Sequence, residues 1–94
     1  MIRHIVMWKF KEGTEKQAQE FCQKLMGLNG VIPQIRSMSV GADVLGGTNY
    51  SAALVADFDT IEDMETYKKD PRHVAVSSLC KAIREDRVAV DYEL

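Results

Sequence analysis

An α+β fold of order β-α-β-β-α-β, with one four-stranded antiparallel sheet and its helices on one face, is what this 94-residue sequence predicts. Three observations carry the prediction. Four segments alternate apolar and polar residues with the period of a strand. Between the first and second strands, and again between the third and fourth, apolar residues recur at helical spacing. The second and third strands are joined directly by Leu45-Gly46-Gly47-Thr48-Asn49, a run dense in turn residues.

The first strand, 2–10, places Ile2, His4, Val6, Trp8 and Phe10 on one face and Arg3, Ile5, Met7 and Lys9 on the other. Lys11-Glu12-Gly13-Thr14 breaks it. Thr14 followed by Gln17 reads as a capping box, in which hydroxyl and amide satisfy free backbone N–H groups. Ala18, Phe21, Cys22, Leu25 and Met26 then mark an amphipathic helix over 14–28. Asn29-Gly30 stops it, the glycine being free to turn left-handed. Val31-Ile32-Pro33-Gln34-Ile35 is too short and too interrupted by proline for a full element, and reads as a tight turn or one 3₁₀ turn. The second strand, 36–44, carries Met38, Val40, Ala42 and Val44 on one face. The third, 50–58, alternates Tyr50, Ala52, Leu54, Ala56 and Phe58 with Ser51, Ala53, Val55 and Asp57. Both of its faces suit a central strand covered on both sides.

Asp59 and Thr60 can each cap a short helix over 60–69. Asp70-Pro71 restarts the helix, with Asp70 as N-cap and Pro71 at the first helical position. His73, Val76, Cys80 and Ile83 lie along one stripe, with Leu79 beside it. In the last strand, 86–93, Val88, Val90 and Tyr92 alternate with Arg87, Ala89, Asp91 and Glu93. The whole order is the ferredoxin-like arrangement, with both helical segments packed on one side of the sheet. The other side holds Ile5 and Met7, which are too apolar for open water. A second copy stacking its sheet there, about 10 Å away, covers them and predicts a homodimer through the sheet faces.

Length and composition bound the function. Residues 1–94 form one domain, with no room for a second. A chain this short buries roughly 60–70% of its unfolded surface, so association is a natural way to add core. Net charge is −2, with both signs interspersed, which argues against nucleic acid. No run of about 18 apolar residues exists to span a membrane. The opening Met1-Ile2-Arg3-His4 lacks a signal-peptide pattern, so the expected compartment is the cytoplasm. Cys22 and Cys80 fall on apolar stripes, outside any metal-type spacing, and read as buried free thiols. No metal and no cofactor is expected. Gly46-Gly47 lacks the strand-to-helix setting of a phosphate loop and reads as a hairpin turn.

Five stretches in order resemble a known family: Ile2-Arg3-His4-Ile5-Val6-Met7-Trp8-Lys9-Phe10-Lys11; Ile32-Pro33-Gln34-Ile35; Gly41; Tyr67-(x3)-Pro71-(x)-His73-Val74; and Asp91-Tyr92. Together they resemble the stress-responsive dimeric α/β-barrel domain family, often called Dabb, over the whole chain. The resemblance implies a homodimer whose two sheets face each other inside a barrel. It also implies kinship with a plant polyketide cyclase that closes a tetraketide by aldol chemistry. That enzyme's two histidines, tyrosine and aspartate fall here on His4, His73, Tyr67 and Asp91. Where the family often has histidine before the proline, this chain has Asp70.

The residues support such chemistry independently. His73 on its helical stripe and His4 on its strand face point into one helix–sheet cleft, lined by Trp8, Phe10 and Phe21. A neutral imidazole, with an ordinary pKa near 6.5, suits proton abstraction beside a carbonyl. Tyr67 is placed to donate to a developing enolate oxygen. Asp91 is expected to accept from one nitrogen of His73 and fix its tautomer. The ligand is then a small apolar or β-carbonyl molecule. Two other readings stand beside this one. The histidines and Tyr67 also fit structural roles in a non-catalytic, ligand-binding or stress-related dimer, and related barrels include cofactor-light monooxygenases.

Overall fold

Alternation fixes the first strand. The computed structural model describes residues 1–94 and places β1 at Ile2–Phe10, with Ile2, His4, Val6 and Trp8 buried and Met7 and Lys9 exposed. Helix α1 follows at Glu15–Met26, β2 at Ser37–Ala42 and β3 at Ala52–Phe58. Helices α2 (Ile61–Lys69) and α3 (Pro71–Ile83) then lead straight into β4 (Arg84–Glu93). The sheet order is β2-β3-β1-β4, antiparallel throughout, and α1, α2 and α3 cover one face. This is the ferredoxin-like α+β fold.

Local chemistry explains most boundaries. Asp70 accepts from the Arg72 backbone N–H at 2.8 Å, and Pro71, which lacks an N–H, opens α3. Thr60 caps α2 by accepting from Asp63 N–H at 3.0 Å. Asp59, the other expected cap, instead binds Arg36. The capping box at Thr14 does not form. Its hydroxyl donates back to the Lys11 carbonyl, the chain end of β1, so it accepts nothing from α1. The turn from 43 to 49 is held by Asp43, which accepts from Gly46 N–H and from Asn49. Both glycines there have positive φ, 75° and 67°, a region that strongly favours glycine. The second strand is shorter than its alternation suggests. Val44 belongs to this turn and is exposed.

The core lies between helices and sheet. Val6, Leu54, Ala56 and Phe58 from the strands meet Phe21, Leu25, Met64, Tyr67, Val76 and Cys80 from the helices. Ile32 and Ile35, in the turn after α1, are also buried and anchor that turn under the layer. Cys80 is buried and Cys22 half-buried, and both are free thiols. On the opposite face Met7, Val88, Val90 and Tyr92 are exposed. No helix is long and apolar enough to cross a membrane.

Candidate active site

His4 and His73 reach the same space from different layers. His4 stands in mid-β1, buried, on the helix-facing side. Antiparallel pairing places Asp91 of β4 directly opposite it, and the Asp91 carboxylate accepts from His4 Nδ1. His73 lies in the first turn of α3. Its Nδ1 is 3.0 Å from the Lys68 carbonyl. That carbonyl is available because the helix breaks there: Arg72 N–H, its partner in an unbroken helix, is turned to Asp70. The expectation that Asp91 orients His73 is therefore corrected. Asp91 faces its cross-strand neighbour His4, and a backbone oxygen holds His73.

Both acceptors fix the same tautomer. A carboxylate or a carbonyl on Nδ1 requires the proton there, leaving Nε2 with a free lone pair. Burial lowers the pKa of each imidazole. For His4 the Asp91 carboxylate partly offsets that effect, and for His73 the Lys68 carbonyl does so. Each ring is accordingly neutral and basic at Nε2 near pH 7. No fully buried side-chain nitrogen or oxygen lacks a partner, and neither Nε2 has one within the chain. Both must therefore open onto the adjoining cavity.

Tyr67, from the last turn of α2, packs its ring 4.4 Å from His73 and 5.0 Å from Phe58. Burial pushes its hydroxyl well above the ordinary phenol range, so it stays protonated and keeps its O–H as a neutral donor. It too lacks an internal partner and lines the cavity.

The cavity measures about 600 Å³ and lies between α3, α1 and the β1–β4 side of the sheet. Trp8 and Phe21, edge to face at 5.1 Å, form part of its wall without filling it. Phe10, expected in the same cleft, packs on the far side of Phe21 at 6.1 Å. It lines a separate hollow between α1 and the β2–β3 side, with Ala18, Cys22 and Val40. Asp91 supports His4 from the sheet edge and does not line the cavity. Sequence reasoning missed Lys68, Ser77, Arg84 and Arg87 at this site. The alternation of β4 held a signal for Arg87, which shares the face of Ala89 and Asp91.

With this geometry in place, the chain can be set beside known proteins. The model of the Stress Responsive A/B Barrel Domain, Dabb, matches residues 2–94. The chain belongs to the Dabb family. Olivetolic acid cyclase from Cannabis sativa is 27% identical over 95 residues, covering 97% of this chain and 94% of that protein. A dimeric ferredoxin-like protein of unknown function from Thermobifida fusca is 33% identical, with a TM-score of 0.89, covering 99% of this Dabb chain and 90% of that one. A dimeric protein of ferredoxin-like fold and unknown function from Bacteroides fragilis is 28% identical, with a TM-score of 0.85, covering 99% and 95%.

Proposed function

We propose that this Dabb protein is a homodimeric acid–base enzyme that enolises a small β-carbonyl molecule in the helix–sheet cavity. One observation carries the reading: two imidazoles with unprotonated Nε2 and one protonated phenol share a single cavity of about 600 Å³. That volume suits a small organic molecule. His73 Nε2 removes a proton from the carbon between two carbonyls. The Tyr67 hydroxyl donates to the carbonyl oxygen as it gains enolate charge, and burial strengthens that contact. Asp91 stabilises His4 if it takes a proton in turn. Where a second carbonyl lies along the substrate, the enolate carbon attacks it and a ring closes, with the protonated imidazole supplying the alkoxide proton. The distant relationship to a polyketide cyclase supports this choice of substrate class.

The dimer rests on the apolar sheet face, where Met7, Val88, Val90 and Tyr92 are exposed and Ile5 and Val55 half-buried, and on the dimeric state of the relatives. A cytoplasmic location is consistent with the two free thiols.

The test is deuterium exchange at the C3 and C5 methylenes of heptane-2,4,6-trione in D₂O, followed by NMR. The protein should accelerate exchange above buffer catalysis. His73→Ala should lower the protein-catalysed rate by about 100-fold or more, and Tyr67→Phe by about 10-fold or more. Exchange no faster than in buffer, or unchanged in both variants, refutes the enzyme and leaves a binding role for the cavity.

A further inference from the structure

The proposed proton transfers do not use the mouth of the cavity, where four cations, Lys68, Lys81, Arg84 and Arg87, outnumber two acids, Glu85 and Asp86. The arginines of the chain are Arg3, Arg36, Arg72, Arg84 and Arg87. The first three are each held by an aspartate: Arg3 by Asp57, Arg36 by Asp59 and Arg72 by Asp70. Arg84 and Arg87 have no carboxylate partner, although acidic residues outnumber basic ones, 14 to 12. The two arginines without a carboxylate partner thus stand together at one cavity.

A break in strand register puts them there. Phe10 pairs with Arg84 and Lys9 with Asp86, so Glu85 is an extra residue in β4. In a regular strand, positions 84 and 87 point to opposite faces. The inserted residue restores them to the same face, opposite Phe10 and Trp8, on the helix side. Asp86 pairs with Lys9, and its carboxylate accepts from the Tyr50 hydroxyl and the Arg87 backbone N–H, forming no ion pair with either guanidinium. Glu85 forms no ion pair with either arginine. Arg87 also acts on the cavity interior, since its charge opposes protonation of both imidazoles.

We propose that the ligand of this cavity carries a carboxylate, which Arg87 and Arg84 hold at the mouth while its carbonyl-bearing end reaches His4, His73 and Tyr67. This rests on the enolising role proposed above and narrows its substrates to keto acids and their cyclised aromatic acids. A guanidinium fork matches a carboxylate with two parallel hydrogen bonds. Lys81, which has no carboxylate partner, adds positive potential that draws an anion toward the opening, whereas Lys68 is paired with Glu65. A neutral ester of the same skeleton would lose these contacts and leave the arginines with water alone. A phosphate on a carrier thioester offers similar oxyanion chemistry and must be separated by experiment.

Having only two histidines, the protein carries its own reporters, the two imidazole C–H resonances. These are followed during titration with 2,4-dihydroxybenzoate, its methyl ester and coenzyme A. The acid should shift both resonances and bind about 10-fold or more tightly than the ester. In Arg84→Gln/Arg87→Gln that preference should fall to within about 2-fold, while ester binding stays unchanged. Lys16→Gln, an exposed lysine on α1 away from the cavity, changes charge alone and should keep the preference. Equal affinity for acid and ester in the parent protein overturns the carboxylate assignment and leaves the enolising role standing. Acid binding that leaves the imidazoles unmoved also overturns it. So does arginine-dependent binding of coenzyme A tighter than that of the acid, which would assign the mouth to a phosphate. If neither aromatic probe shifts the imidazoles, the cavity reading and this inference fall together.

Discussion

The two faces of the sheet are made by the same strands with the same alternation, yet they meet different fates. On the helix side Val6, Leu54, Ala56 and Phe58 are at most 1% exposed. On the other side Met7 is 41%, Tyr92 42% and Val90 55% exposed. The first face is covered by residues brought back over it by the chain itself. The second is built of similar residue types, but the three helices are already used. An apolar period in a strand therefore specifies that a face will be covered, and only the count of helices shows whether the cover comes from within.

Substitutions on the two faces should separate these roles. Phe58→Ala opens a cavity in the covered face and should cost about 3–5 kcal/mol, measured by urea unfolding of the protein at fixed concentration. Val90→Asp should leave secondary structure intact and convert a dimer to a monomer in sedimentation at micromolar concentration. If Val90→Asp sediments as the parent does, the exposed face is not the dimer contact.

The next effect is one of pH, and belongs to the covered face alone. His4 and His73 have folded pKa values lowered by burial, whereas the unfolded chain titrates near 6.5. Above that value neither state is protonated at these rings, and their contribution to stability is complete. As pH falls below about 6.5 the unfolded state binds protons first, so stability declines until the folded values are passed. The urea midpoint should drop between pH 7 and pH 5, and His73→Gln should flatten that slope. An unchanged slope would mean that His73 does not titrate differently on folding.

The smallest effect compares helix starts. Thr60→Ala removes a cap that accepts from Asp63 and should cost about 1 kcal/mol. Thr14→Ala, which removes no cap, should cost visibly less in the same unfolding assay.

Those two threonines also show where sequence reading stops. The strand faces, the break at Asp70-Pro71 and the burial of His4 followed from spacing, because period and proline chemistry act locally. Thr14 carried the right sequence for a cap, but its hydroxyl turned to the Lys11 carbonyl, which spacing does not reveal. The partner of Asp91 depended on register between strands more than eighty residues apart. Parity correctly put His4 and Asp91 on specific faces, but not opposite each other. The paired cations at 84 and 87 were hidden by the extra residue at Glu85, since alternation read across a bulge assigns one of them to the wrong side.

The different anchors of the two histidines affect how this site can evolve. His4 depends on a side chain, and one nucleotide change at Asp91 would release it. His73 depends on the main-chain oxygen of residue 68, which every amino acid supplies. Position 68 is thus free to vary its side chain at the edge of the cavity without disturbing the imidazole behind it. Descendants of this protein could change what they admit while keeping one base in place.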